Sequence, residues 1–250
     1  MSLLDRRADA PPMTTTDRRA LQHGGRALDS DQTSDRNATA WLALGLVGIA
    51  GLVIMTILVG SHVVIPFDQP FVDVASSWTA LDPVWNLFTT LGNLPMIPIG
   101  LGFVVWLWWK GRHREAIVVF LLLAAATATT EGLKVLLARP RPDPGAPGAN
   151  IIPGTEFSYP SGHSLEDVMI LGMIGLKVWR RVVSQLGRVL YVVLAIAFVS
   201  VVEISRVALS SHYPSDMLAG IFGGFAALGL YGWFSRRGGW ADKPPEPERQ

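Results

Sequence analysis

The segment that decides the fold is WLALGLVGIAGLVIMTILVGSHVVI, residues 41–65, which contains no Asp, Glu, Lys or Arg. A helix needs about 20 such residues to cross a hydrocarbon core of about 30 Å. The whole chain agrees with this pattern, because 50% of its 250 residues are hydrophobic and only 16% are charged. The segment therefore predicts the first membrane-spanning helix of an integral membrane protein.

Further apolar segments of similar length follow along the chain. They cover residues 84–109, 115–138, 162–180, 187–210 and 215–234. The predicted fold class is accordingly all-α, an integral membrane bundle of six transmembrane helices. Glu166, Asp167 and Glu203 lie inside the fourth and fifth segments, so hydropathy alone supports those two less well. Residues 66–83 are too few and too polar to cross, and we expect them to lie along the membrane interface.

Polar segments flank this bundle at both ends. Residues 1–37 lack the apolar core of a signal peptide and are predicted to form a disordered tail. Residues 236–250 are predicted to form a second one, which leaves 38–235 as the membrane domain.

The distribution of basic residues predicts the orientation. If the N-terminus is cytoplasmic, 17 of the 21 Lys and Arg residues fall on the cytoplasmic side, as the positive-inside rule requires. Both termini are therefore predicted to be cytoplasmic. The four exceptions are Lys134, Arg139, Arg141 and Arg206, which lie at or near the outer ends of spans. Topology disfavours cations there, so another role must explain them.

Composition excludes several kinds of chemistry. A formal charge of +1 gives no indication of a nucleic-acid surface. The absence of Cys removes thiolate chemistry, disulfides and Cys-based zinc sites. No Walker loop, HExxH or GxGxxG motif occurs, and we expect neither a cofactor nor a metal ion. Catalysis, if any, must rest on His, Ser, Asp, Glu, Lys and Arg.

Two polar stretches share the outer face with the four exceptional cations. They are SYPSGHS (158–164) and SRVALSSHYPSD (205–216), which add two histidines and an aspartate. Cations gathered with histidines favour an anion site, most plausibly for phosphate, with nucleophilic or general-acid histidines.

Three motifs with fixed internal spacing carry a family resemblance. They read KVLLARPRP (134–142), PSGH (160–163) and SRVALSSHYPSD (205–216). The chain resembles the type 2 phosphatidic acid phosphatase superfamily, whose signature is written KxxxxxxRP, PSGH and SRxxxxxHxxxD. The resemblance covers about residues 38–235 and implies a metal-free phosphatase with an extracytoplasmic site.

The resemblance also implies roles for individual residues. His212 is the candidate nucleophile that forms a phosphohistidine, with Asp216 fixing its tautomer, and His163 is the candidate general acid. The phosphate would be held by Lys134, Arg141, Arg206, Ser161 and Gly162.

Each residue also has a plainer interpretation. A single cation can extend to lipid headgroups, which is the role expected of Arg139 because it lies outside the signature. Asp216 can simply favour a helix N-terminus, and Ser161 can be an N-cap. Asp167 either pairs with Lys134 or Arg139, or keeps His163 protonated. The Gly220–Gly224 spacing predicts close helix packing.

The predicted function is hydrolysis of a lipid phosphate or diphosphate at the plasma membrane. Within the family the chain most resembles polyprenyl (undecaprenyl) diphosphate phosphatases of cell-wall biogenesis, and this resemblance implies polyprenyl diphosphate as the substrate. The expected partners are membrane lipids and the lipid phosphate substrate, and no nucleic acid is expected. The alternatives are a phosphatidylglycerophosphate or phosphatidate phosphatase and, from another class, a non-catalytic transporter or scaffold of the same fold.

Overall fold

The computed structural model describes residues 15–93, 96–146, 156–182 and 184–237. Every regular element within these residues is helical. The elements are α1 (Thr15–Gly60), α2 (Asp68–Ser76), a short 3-10 helix (Thr79–Leu81), α3 (Asp82–Asn93), α4 (Met96–Trp109), α5 (His113–Leu137), α6 (Gly162–Arg181), α7 (Gln185–Ala208) and α8 (Pro214–Arg237). The predicted all-α class is confirmed for this part of the chain.

Five stretches of the described chain are long and apolar enough to cross a bilayer. They are Asn37–Gly60, Thr79–Trp109, His113–Leu137, Gln185–Ala208 and Pro214–Arg237. The second of them contains α3 and α4, and residues 94–95 between these helices lie outside the described residues. Large apolar side chains such as Leu190 and Leu194 of α7 point outward, 52% and 59% exposed, where lipid would cover them. The protein is a multi-pass membrane protein.

The fourth predicted span corresponds to α6, which is not one of these five stretches, so the count of six is not confirmed. Its 20 residues extend about 30 Å. The N-terminal end of α6 lies against the C-terminal half of α5, since a Cβ at Gly162 would lie 3.3 Å from Thr130. At its other end, Lys177 Nζ lies 2.5 Å from Glu115 Oε1 at the start of α5. α6 therefore contacts α5 near both of its ends, and its polar residues Ser164, Asp167 and Lys177 are buried within the bundle.

Small residues bring α6 and α8 close together. A Cβ at Gly220 would lie 2.4 Å from Ser161 O, and one at Gly224 would lie 2.6 Å from Val168 Cβ. Only glycine fits at such separations, so the predicted packing role of the two glycines is confirmed. The contact sets the first turn of α8 against the start of α6, where two of the three motifs lie.

The stretch predicted to lie at the interface contains α2 and the 3-10 helix. At nine residues α2 is too short to cross a bilayer. Its residues Val72 and Ala75 are buried against Val207 and Ala208 of α7. Phe71 on the opposite side is 62% exposed. This arrangement fits a helix lying on the membrane surface.

The predicted tails lie only partly within the described part of the chain. Residues 1–14 and 238–250 lie beyond it, and α1 begins at Thr15, inside the predicted N-terminal tail. The domain limits of 38 and 235 stay a prediction.

Candidate active site

The three motifs meet at one end of the helix bundle. Backbone hydrogen bonds join the segment after α5, the segment before α6 and the connection from α7 to α8. Asp143 N donates to Ser210 O at 3.1 Å, and Ser161 N donates to Asp216 O at 3.0 Å. These bonds link residues far apart in sequence, so packing of the helices builds the site.

Two buried imidazole rings lie at its centre. The ring centroids of His163 and His212 are 6.5 Å apart, with their planes inclined by 65°. The residues are 9% and 3% exposed. His163 belongs to the first turn of α6, and its Nε2 atom has no hydrogen-bond partner. The structure thus brings the two predicted catalytic histidines together from different segments of the chain.

The tautomer of His212 is set by a backbone carbonyl. His212 Nδ1 lies 2.7 Å from Ser158 O, and because a carbonyl can only accept, Nδ1 must carry the proton. Nε2 then holds the free lone pair. The prediction assigned this orienting role to Asp216, but its Oδ2 atom lies 3.7 Å from Nδ1, beyond hydrogen-bond length. Ser158 makes the direct bond instead, and Asp216 acts at longer range.

The surroundings keep the His212 ring neutral. Burial lowers the pKa of His212 well below its ordinary value, and the positive charges of Arg206, Arg141 and Lys134 lower it further, against the opposing effect of the Ser158 carbonyl. A neutral imidazole with a free Nε2 lone pair is the form that can attack phosphorus.

Asp216 is held by groups other than the histidine. Its Oδ2 atom accepts a hydrogen bond from Tyr213 N at 2.9 Å, and Oδ1 forms a short ion pair with Arg139 Nη1. The residue is fully buried. Asp216 therefore fixes the turn that leads from His212 into α8, as well as adding negative charge near the ring.

Three cationic side chains surround the histidines. Lys134, Arg141 and Arg206 are all buried, at 5%, 7% and 2% exposed. Lys134 Nζ bonds to Glu131 Oε1 at 2.8 Å, and Arg206 donates to Thr89 Oγ1 at 2.8 Å. Arg141 donates to two backbone carbonyls at 3.2 Å each. Buried cations held in this way can neutralise the roughly 1.5 to 2 negative charges of a phosphate ester.

The start of α6 departs from the prediction in one respect. Ser161 is the N-cap, and its Oγ accepts from Ser164 N at 3.4 Å. Its own N–H is taken by the carbonyl of Asp216, so that amide is not directed at a substrate. Gly162, the first residue of α6, retains the predicted position at the helix N-terminus, where backbone N–H groups favour anions.

The acid one turn beyond His163 makes no pair with the predicted cations. Asp167 is fully buried, and neither of its carboxylate oxygens has a hydrogen-bond partner. Arg139, one of the two cations suggested for it, bonds instead to Asp68 and Asp216. Its influence on His163 therefore stays a prediction.

Sequence reasoning missed several residues that build this site. The Ser158 carbonyl is a backbone group, and no residue type signals it. Thr89 lies in α3, 117 residues from the arginine it contacts. Among the described residues, no three His, Cys, Asp or Glu side chains are grouped so as to hold a metal ion.

Comparison with known proteins agrees with the motifs. The family model described as the PAP2 superfamily matches residues 115–239. Among solved structures, the chain is similar to a transmembrane PAP2-type phosphatidylglycerolphosphate phosphatase from Bacillus subtilis. The identity is 20%, the TM-score is 0.56, and the match covers 80% of this chain and 99% of the other. Among curated proteins, none matches the chain as a relative.

Proposed function

Because this chain belongs to the PAP2 superfamily, we propose that it is a lipid phosphatase that hydrolyses polyprenyl (undecaprenyl) diphosphate at the extracytoplasmic membrane face. The observation that carries the proposal is the buried pair His163 and His212, 6.5 Å apart, at the end of a membrane bundle. One of these rings has its tautomer fixed for nucleophilic attack, and buried cations surround both. A non-catalytic transporter or scaffold would not need that tautomer.

The proposed reaction has two steps. In the first, His212 Nε2 attacks phosphorus, the bond from phosphorus to the leaving oxygen breaks, and His163 gives that oxygen a proton. For a diphosphate the leaving group is the lipid monophosphate, and for a monoester it is the lipid alcohol. In the second step, His163 takes a proton from water, the water oxygen attacks phosphorus, and the bond from nitrogen to phosphorus breaks. The products are inorganic phosphate and the original enzyme.

Lys134, Arg141 and Arg206 supply the charge stabilisation in both steps. Phosphoryl transfer concentrates negative charge on the equatorial oxygens of the transition state. Fixed cations away from bulk water stabilise such charge more strongly than flexible surface cations do. We therefore propose that turnover needs no metal ion.

An apolar groove supports a lipid substrate. A cavity of about 430 Å³ lies among α6, α7 and α8. Val168 and Ser200 line the end of the cavity that is nearer to the histidines. Val168 lies five residues beyond His163, or about 7.5 Å along the helix. A lipid chain in this groove would keep its phosphate near the histidines while its tail stays in the membrane.

The topology belongs to the same proposal. We place α6 across the membrane beside α5, which gives six spans and two cytoplasmic termini. The connection from α5 to α6 then lies outside the cell, together with His212.

The test is release of inorganic phosphate by the purified protein from a panel of lipids. The panel contains polyprenyl diphosphate, phosphatidylglycerophosphate and phosphatidate, each with and without EDTA. We expect the fastest release from the polyprenyl diphosphate and no loss of activity in EDTA. A preference for either glycerolipid would favour the alternative substrates. Absence of release from every lipid would favour the transporter or scaffold, and loss in EDTA that a divalent ion restores would exclude the metal-free scheme.

A further inference from the structure

We propose that Asp68, on α2, is a positioning residue of the active site: it holds Arg139 and the first turn of α8, and through them the segment that carries His212 and Asp216. This inference rests on the proposed function. Asp68 belongs to none of the three motifs and lies outside residues 115–239, so the family match assigns it no role.

Both carboxylate oxygens of Asp68 accept hydrogen bonds. Oδ1 accepts from Ser215 N at 2.9 Å. Oδ2 accepts from Ser215 Oγ at 2.6 Å and from Arg139 Nη2 at 2.7 Å. Asp68 is 4% exposed, so water contributes little to solvating it. Three directed bonds at a buried carboxylate define one position for both partners.

Its bond to Ser215 acts as a helix cap supplied by another helix. α8 begins at Pro214, and the N–H groups of a first turn have no partner within their own helix. Asp68 satisfies one of them, and its negative charge is favourable at a helix N-terminus. Since Ser215 lies between His212 and Asp216 in sequence, the cap fixes the backbone on which both functional side chains are carried.

Arg139 provides the second connection. Its Nη1 group donates to Ser215 Oγ at 2.8 Å and to Asp216 Oδ1, so both of its hydrogens are used. The guanidinium also lies 4.3 Å from the ring centre of Tyr213. The expected contact of Arg139 with headgroups is thus replaced by internal bonds.

Electrostatics support the same arrangement. Burial acts to lower the pKa of Arg139, but Asp216 and Asp68 act to raise it and prevail. The guanidinium thus lies between two carboxylates that it bridges. Loss of the Asp68 carboxylate would leave Arg139 with one carboxylate partner and Ser215 N without an acceptor. The segment that carries His212 would then be held less firmly, although Asp68 itself makes no contact with substrate in the proposed mechanism.

The test compares Asp68→Asn with Asp73→Asn, measured for phosphate release by purified full-length protein. Asp73 is the matched control, because it lies on the same helix, is exposed, and its carboxylate accepts a hydrogen bond from Gln69 of the same helix. We expect kcat to fall about tenfold to hundredfold in Asp68→Asn, as misplacement of a catalytic group does, with KM nearly unchanged. Asp68→Glu should recover part of the loss. Equal kcat values for the two Asn variants, or a change in KM alone, would overturn the inference.

A second measurement needs no activity. Hydrogen exchange of residues 209–218 should be faster in Asp68→Asn than in Asp73→Asn, and unchanged exchange would contradict the inference. If Asp68→Asn does not accumulate as folded protein, Ser215→Ala takes its place, because it removes the hydroxyl bonds and keeps every charge. Absence of phosphate release from wild-type protein would refute the proposed function, whereas the exchange comparison would still decide whether Asp68 holds α8.

Discussion

His212 shows how neighbouring groups set the charge and the tautomer of one imidazole ring. An imidazole in water has a pKa of about 6.5 and is largely protonated in mild acid. Here burial and three nearby cations favour the neutral ring, and the Ser158 carbonyl fixes which nitrogen bears the proton. In the proposed mechanism, His212 is therefore in the attacking form before substrate binds.

A pH prediction follows from the lowered pKa of His212. Only the neutral ring attacks, so on the acid side activity should be lost as the pH falls through that lowered value. We expect the acid limb of kcat/KM to lie below about pH 6.5, the ordinary histidine value. The profile should be measured with both a diphosphate and a monophosphate substrate.

The phosphate of the substrate itself titrates near pH 6. The same pH profile measured for Arg141→Gln distinguishes the titration of His212 from the titration of the substrate. Removing one cation weakens the effect that lowers the pKa of His212, so the acid limb should move to higher pH. A limb that stays in place would show that it belongs to another group.

Sequence alone predicts which side chains meet at this site, because the spaced motifs carry the histidines and cations that the fold brings together. It does not identify the groups that orient them. The Ser158 carbonyl carries no side-chain signature, and Asp68 lies 147 residues before its partner Ser215. The sequence predicted that Asp216 orients His212, whereas the Ser158 carbonyl makes the hydrogen bond. The spacing of residues shows which groups lie near the ring, but it does not show which of them accepts the ring proton.

At the scale of helices, the contact between α6 and α8 carries the geometry of the site. Hydropathy detects helices that face lipid, as α1 and α7 do. It does not detect α6, in which the charged residues Asp167 and Lys177 are buried. The glycine spacing in α8, by contrast, predicted the close contact correctly, because a small-residue spacing depends only on how closely two backbones can approach.

Gly220→Ala should destabilise the protein and reduce its activity together. The new Cβ would lie 2.4 Å from the backbone oxygen of Ser161, which cannot move without shifting the start of α6. Overpacking of this kind costs about 1–3 kcal/mol. Thermal unfolding in detergent and phosphate release would measure both effects.

Gly132→Ala is the matched control, because no atom lies within 4 Å of its added Cβ. Alanine in a helix is favoured over glycine by roughly 0.5–1 kcal/mol, so Tm should be unchanged or slightly higher. Equal Tm values for the two alanine variants would mean that α6 and α8 are not packed as described.

For the whole molecule, the placement of α6 decides the topology. With six spans both termini lie on one side, and with five they lie on opposite sides. The chain has no Cys, so single cysteines can be introduced at residues 2, 143, 185 and 250 and treated with an impermeant thiol reagent in intact cells. We expect labelling only at residue 143. Labelling at 185 and 250 as well as 143 would show that α6 does not cross, and labelling at 2 but not at 143 would overturn the predicted orientation.

The most direct test of the central claim is detection of the phosphohistidine itself. The protein is mixed with lipid diphosphate that is labelled in its terminal phosphate, and the reaction is quenched in base, because a phosphohistidine is stable in base and labile in acid. The peptide that contains His212 should then carry the label. His212→Ala should carry none and release no phosphate, while remaining folded. Label that persists in His212→Ala, or turnover by that variant, would contradict the account.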